Sequence, residues 1–517
     1  MSVIPGPPYS AALKRPVEPG AKIGLLHLLM LVALALSVTI WWALLVAGGG
    51  SHELARFITA DGFFAVACAF FVLSRVRGGL QGFFELPVFM TVVAFVEFGL
   101  APISCFLDPD ALAPQLHGDT ALFNPALLIV LAGMVAFWLG STAARSKKQA
   151  PADVDPVSLP GSGPRSLTLL LGGCLYLTGF AAKVYMLRSG WFGYLQSQGA
   201  TQAHIAEAQV WIVISSFGFY ALILFSIEAY WHPGDKFRAV LFWTVLASEG
   251  SWGLMSGMKG PFLFSLVAVS LVSSVAGREL RIRWFVVATL CLIAIYPLIN
   301  QYRSLVGTRM DESVNSVSAA TEAMRGAAAQ TSSQERTAGH WLTSGWSSSV
   351  ARLNMTQNVA LLLTYQDRSY LLEGKERLWM IPFYPFVPRL LWPGKPLQDY
   401  GGRFSKLLGL QGDTSTSPTV PGDLYILHYG IAGVAGGMFL IGLVAQWLTN
   451  PVKLWPSKRN LFIYGCVFFT VANWENDFFG YSSPLIRTFV IVQVLAALIY
   501  GPARASSRLG RKKETRN

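Results

Sequence analysis

The sequence predicts an all-α, polytopic integral membrane protein of about twelve transmembrane helices, with one large extracytoplasmic loop that contains short helices. Three observations predict it: an apolar composition, apolar windows that recur at the length of a bilayer crossing, and a one-sided distribution of Lys and Arg between them. Hydrophobic residues make up 53% of the 517-residue chain and charged residues 13%, with a mean hydropathy of +0.46, which excludes an ordinary soluble domain. In a soluble protein the net charge of +12 would suggest nucleic acid. Here its placement reads as topology, and no nucleic-acid partner is expected. The five cysteines, Cys68, Cys105, Cys174, Cys291 and Cys466, all fall in apolar stretches with neither metal-ligand spacing nor a disulfide framework.

A bilayer core takes roughly twenty apolar residues per helix. Windows of that length lie at 23–47, 57–74, 84–106, 121–143, 166–187, 209–230, 237–256, 260–276, 282–303, 422–447, 460–476 and 483–501. The seventh and eighth are separated only by Ser256-Gly257-Met258-Lys259-Gly260, so either could be re-entrant. The first window follows a tail with Pro5, Pro7 and Pro8 and has no small-residue cleavage site after it, which reads as a retained signal anchor. Residues 146–165, rich in Pro, Ser, Gly and Asp, read as a flexible link between two halves. The chain thus divides into a tail (1–22), nine spans (23–303), the long loop (304–421), three spans (422–501) and a basic tail (502–517).

Orientation follows from Lys and Arg in the short loops. Lys14, Arg15 and Lys22, then Arg75 and Arg77, then Arg145, Lys147, Lys148 and Arg165 fall on one side. The same parity continues with Lys236 and Arg238, with Arg278, Arg281 and Arg283, and with Lys453, Lys458 and Arg459, ending in the basic tail. Loops 107–120 and 477–482 carry no Lys or Arg. Both termini are therefore expected in the cytoplasm, and the parity requires an even number of spans.

The long loop is placed outside although it carries many cations, because long loops escape the charge rule. Residues 313–338 are Ala-, Ser- and Thr-rich and read as a poorly packed helix or a mobile stretch. Residues 344–366, with Val350, Leu353, Val359, Leu362 and Leu363 near helical spacing, read as a segment on the membrane surface. From Trp379 to Pro396 the loop is apolar and broken by Pro382, Pro385, Pro388, Pro393 and Pro396. Within it Arg389 and Lys395 stand beside Trp392 and Tyr384. Cations fixed beside aromatic rings suit a ligand that is part phosphate and part sugar; lipid head groups or nearby carboxylates are their alternative partners.

Ionisable residues in spans are costly, and each is a functional candidate. Lys259 lies at the turn between the seventh and eighth windows and Arg303 at the end of the ninth, both on the side of the loop, with snorkelling to the interface as the alternative. Asp423 opens the tenth window, as a base or as an N-cap. His428 follows one turn later, as a base or as a hydrogen-bonded core residue. Glu475 and Asp477 stand in Trp474-Glu475-Asn476-Asp477, where Arg487 could bridge to either. Asp61 and Glu97 lie inside spans with nothing nearby to name a role. No phosphate-binding glycine loop, nucleophile elbow or His-rich metal motif is present, and Asp108-Pro109-Asp110 lies on the wrong side for a nucleotide sugar. No cofactor is expected.

The run Pro388-Arg389-Leu390-Leu391-Trp392-Pro393-Gly394-Lys395-Pro396, followed by Gly401-Gly402, Ser415-Thr416-Ser417-Pro418 and Gly422-Asp423-Leu424-Tyr425, resembles the bacterial oligosaccharide repeat-unit polymerases (O-antigen or exopolysaccharide polymerase, Wzy-type). Tyr429-Gly430-Ile431-Ala432-Gly433, Lys259-Gly260 and Tyr302-Arg303 add to it. The likeness is sharp over 380–440. It departs in Lys259 for the more usual Arg, Asp423 for Glu and His428 for Asn, and the spacing from Arg389 to Gly401 is one residue too long for the family's Arg-to-Gly step. The resemblance implies a GT-C-like fold in the bacterial inner membrane. It implies an inverting, metal-independent glycosyl transfer between undecaprenyl-diphosphate-linked oligosaccharides, with a chain-length regulator and a flippase as partners. Substrate contacts would come from Lys259, Arg303, Arg389, Trp392, Lys395 and Tyr425, and the base from Asp423, His428 or Glu475. An O-antigen-ligase-like transferase, a flippase or transporter for the same lipid, and a scaffold of an export complex are the competing readings.

Overall fold

The structure, a computed structural model, describes residues 52–76, 80–107, 116, 120–146, 165–193, 205–276, 298–299, 302, 317–334, 353–364, 387, 392, 404, 418–427, 429–454 and 457–501. Every regular element among them is helical. In chain order these are α1 (His52–Arg75), a 3₁₀ turn (Leu80–Phe84), α2 (Leu86–Ala94) running through a π-helical turn (Phe95–Leu100) to α3 (Ile103–Leu107), and α4 (Phe123–Ala143). There follow α5 (Arg165–Arg188), α6 (Ile205–Ser215), α7 (Phe217–Trp231), α8 (Lys236–Met255) and α9 (Lys259–Val275). The loop supplies α10 (Val317–Gln334) and α11 (Met355–Thr364), and the chain continues with α12 (Val420–Leu427), α13 (Gly430–Leu454), α14 (Lys458–Ala472) and α15 (Phe478–Tyr500).

Among the described residues, seven stretches are long and apolar enough to cross a membrane: Glu53–Arg75, Leu86–Phe106, Phe123–Ala143, Leu167–Arg188, Ala208–Trp231, Gly430–Leu454 and Phe478–Tyr500. The protein is therefore membrane-embedded and polytopic. α8 forms over the seventh expected window, but Lys236, Arg238 and Glu249 make it too polar for that set. α9 and α14 are short, at 17 and 15 residues. Windows 23–47 and, apart from residues 298, 299 and 302, 282–303 lie outside the described residues, as does the link at 147–164.

The tenth window is not one helix. Tyr429 (φ 73°) and Gly430 (φ 65°) both adopt the left-handed region, which ends one helix and starts another. The result is a hairpin in which α12 folds back along α13. The sixth window shows a milder break, where the hydroxyls of Ser215 and Ser216 both bond back to the Ile212 carbonyl between α6 and α7.

Buried side chains from nearly all spans merge into one core. α4 and α13 form its axis and run parallel. Gly140 of α4 lies directly against the backbone of Phe439, and Gly442 of α13 against the backbone of Phe137. Without a Cβ at either residue the helices approach to backbone contact, the form of packing that joins helices in lipid. Phe57, Phe106 and Phe123 meet at one end of the bundle. At the other end Arg75 joins α1 to α4 and α13, and Lys453 meets Glu85 at 2.5 Å. There too Glu228 of α7 takes Lys458 (2.8 Å) and Arg238 (3.6 Å). Burial and those two cations hold the nearby His232 imidazole below its ordinary pKa.

Of the two readings of residues 313–338, the described part, 317–334, takes the helical one. α10 buries Ala323 and Ala327 in a second core with Met186, Leu187, Phe192, Trp252 and Tyr302. Small side chains there let a helix of weak apolar character pack closely. The described residues of the next segment, 353–364, do not lie on the membrane surface. α11 buries Met355, Thr356, Val359, Ala360, Leu361 and Leu362 inside the bundle, more than one face of the helix.

Candidate functional site

The π-helical turn fixes α11. Such a turn frees a carbonyl from the helical ladder, and the Thr356 hydroxyl donates to Phe98 O at 2.7 Å. The neighbouring Asn354 amide donates to Cys105 Sγ at 2.9 Å. α11 thus descends from the Cys105 end of its span into the bundle. Its Leu362 and Val359 side chains meet Gly422 at the start of α12.

α12 begins deep rather than at the bundle end. Its Leu424 lies against Gly437, seven residues into α13, which is about 10 Å below the α13 start at 1.5 Å per residue. α14 explains the depth. At 15 residues it reaches only about 22 Å of a roughly 30 Å hydrocarbon core, so the Trp474 turn stops within the membrane. Trp474 is 1% exposed, donates from its indole to Met90 O at 3.1 Å, and packs edge-on against Phe137.

The turn and the loop tail are joined at this depth. Val420 N donates to Trp474 O at 3.0 Å, and Asp423, 2% exposed, accepts from Phe478 N through Oδ2 at 2.8 Å. Asp423 therefore caps α15, a helix other than its own, while Asp477 caps the same helix through Gly480 N at 2.6 Å. Two carboxylates at one helix N-terminus meet its partial positive charge. Thr419, fully buried, is held at φ 70° with its carbonyl accepting from Asp423 N at 2.9 Å. A β-branched residue in that region carries about 1–3 kcal/mol of strain, a condition that concentrates at functional sites.

Of the residues singled out in the sequence, the structure brings Asp423, Tyr425 and the Trp474 turn together. Tyr425 and Trp392 are half-buried and pack against the main core. Glu475 does not join Asp423. It is exposed, and its backbone N–H is turned to Asn473 Oδ1 at 3.2 Å, because the indole of its neighbour takes the inward direction. Arg487 forms no ion pair with Glu475 or Asp477 among the described residues. Lys259 begins α9 after a tight turn at Gly257 (φ 65°), so α8 and α9 are a hairpin; its side chain lies outside the described residues. Arg303, Arg389, Lys395 and His428 also lie outside them. Tyr302, beside Arg303, is buried and donates to Met255 O at 3.2 Å, so this end of the loop is anchored at the α8–α9 hairpin.

Sequence reasoning missed one intramembrane pair. Lys183 of α5 meets Glu249 of α8 at 2.5 Å, both nearly buried, across the bare backbone of Gly218 in α7. Each residue interrupts an expected span and was visible in that way. No ligand-type group of three or more His, Cys, Asp or Glu exists among the described residues.

Comparison of the chain with protein-family models, with curated proteins and with solved structures finds no match.

Proposed function

We propose that the protein polymerises undecaprenyl-diphosphate-linked oligosaccharide repeat units into O-antigen or exopolysaccharide chains, at the extracytoplasmic face of a bacterial inner membrane. The observation that carries the reading is Asp423. The segment whose sequence resembles the polymerases enters the bundle at Thr419, and its Asp423 stands buried where α12, α14 and α15 meet. A base there would take the proton from an acceptor sugar hydroxyl as its oxygen attacks the anomeric carbon of the donor. The bond from that carbon to the diphosphate breaks with inversion, the lipid diphosphate leaves with the bonding pair, and Arg389, Lys395, Arg303 and Lys259 would stabilise its negative charge.

A transporter or flippase for the same lipid is the second reading, favoured by the Lys183–Glu249 pair buried between α5 and α8. An O-antigen-ligase-like transferase would share the loop and its cations. The product profile of a deletion strain separates the three. Single repeat units accumulating outside support the polymerase, finished chains left on the lipid carrier indicate the ligase, and lipid-linked units held on the cytoplasmic side indicate the flippase. Arg389→Ala is expected to abolish chain extension at unchanged protein level; normal long chains in that strain would refute the assignment.

A further inference from the structure

Where α1, α4 and α13 come together, the described residues hold more positive charge than they neutralise. Arg75, the last residue of α1, is 5% exposed, and its guanidinium bonds only neutral groups among the described residues. Nη1 donates to Gln446 Oε1 at 2.6 Å, and Nη2 donates to Ser141 Oγ at 3.2 Å and Thr142 Oγ1 at 3.1 Å. Phe71 stacks beneath it at 4.9 Å. Arg145, exposed, is held by the same residue: its backbone N–H donates to Thr142 O at 3.2 Å. The two arginines lie close enough for their like charges to act on each other. The nearby carboxylate, Glu85, is taken by Lys453 at 2.5 Å. Among the described residues, three cations thus gather with one carboxylate near the ends of three membrane-length helices, the level of the lipid head groups.

Like charges gathered at one boundary are stabilised by an anion. Arginine binds phosphate oxygens with two parallel hydrogen bonds. Thr142 is exposed, and a hydroxyl that accepts from Arg75 keeps its own proton to donate. We propose that the corner formed by Arg75, Thr142 and Arg145 binds the phosphate of an anionic phospholipid. Arg145 and the Thr142 hydroxyl make the contacts, and Arg75 supplies a fixed positive field behind them. This site is at the opposite end of the bundle from Asp423 and does not depend on the polymerase reading.

The test uses the purified full chain in vesicles of phosphatidylcholine with and without phosphatidylglycerol, with native mass spectrometry counting the lipids retained. Wild-type protein is expected to retain phosphatidylglycerol in preference to phosphatidylcholine. Arg145→Gln, at an exposed position, should weaken that retention about fivefold, the effect of one basic residue at an anionic surface. Arg145→Glu should abolish the preference. Lys236→Gln, which removes an exposed charge at the same end of the bundle, should leave it unchanged. Equal retention by Arg145→Gln and wild type would overturn the proposal. So would an equal loss in Lys236→Gln, which would mean general surface charge, and so would full displacement by inorganic phosphate, which would mean a soluble ligand.

Discussion

Asp423 has two separable roles, one in capping α15 and one in the proposed proton transfer. Asp423→Asn keeps an oxygen for the Phe478 N–H but cannot take a proton, so chain extension should fall by about 10²–10⁴-fold with thermal unfolding unchanged. Asp423→Ala should also lose about 1 kcal/mol of stability with the cap. Wild-type chain lengths from Asp423→Asn would leave the residue only its structural role. The Lys183–Glu249 pair makes a different kind of prediction. Lys183→Met strands a buried carboxylate and should cost about 3 kcal/mol, whereas Lys183→Met with Glu249→Leu should recover most of it. Thermal unfolding of detergent-solubilised protein measures both, and equal losses in the single and double variants would show that the two side chains are not coupled. Asp423 was legible because a lone acid at the edge of an apolar window stands out. The pairing of Lys183 with Glu249 was not, since partners 66 residues apart share no local spacing.

At the scale of elements, hydropathy found the helices and backbone conformation divided them. Windows of about twenty apolar residues located all seven membrane-length stretches, because that length is set by the bilayer. The same windows joined α12 to α13, since Leu424 and Ile426 are as apolar as any spanning residue and the break depends on two left-handed residues, Tyr429 and Gly430. α11 was misplaced for a related reason. Its apolar residues satisfy helical spacing equally well on a membrane surface or inside a bundle, and the Thr356 bond to a π-turn carbonyl that decides between them has no sequence signal. The α4–α13 contact gives the prediction at this scale. Gly140→Leu or Gly442→Leu inserts a side chain where backbones touch and should destabilise by about 1–3 kcal/mol or more, seen as loss of the monodisperse species in detergent. Gly173→Leu, which meets open space, should be tolerated.

The whole molecule has two chemically distinct ends. Among the described residues, one gathers Arg75, Arg145, Arg238, Lys453 and Lys458 around the acids Glu85 and Glu228, and the other holds Asp423, Glu475, the buried turn of Trp474 and the exposed Arg56. Charge counting anticipated this division, because short-loop cations are placed during insertion by a rule that sequence obeys directly. It did not anticipate that part of the loop descends between the helices, which depends on how short α14 is. An impermeant thiol reagent tests the orientation: Ala121→Cys should react in intact spheroplasts and Arg145→Cys only in inverted vesicles. Reaction of both from the same face would reverse or abolish the assigned topology.

The α4–α13 seam also constrains how the protein is made. Gly140 and Phe439 touch although about 300 residues separate them, and contacts of such separation form late. A nascent chain would therefore hold α4 in lipid with its glycine face uncovered until α13 emerges from the ribosome, and assembly of the first spans would wait on the last ones. Chains arrested before Val420 should be short-lived in the membrane, and coexpression of residues 418–517 as a separate fragment should prolong their lifetime. The final hundred residues would then act as the closing piece of biogenesis as well as the carrier of Asp423.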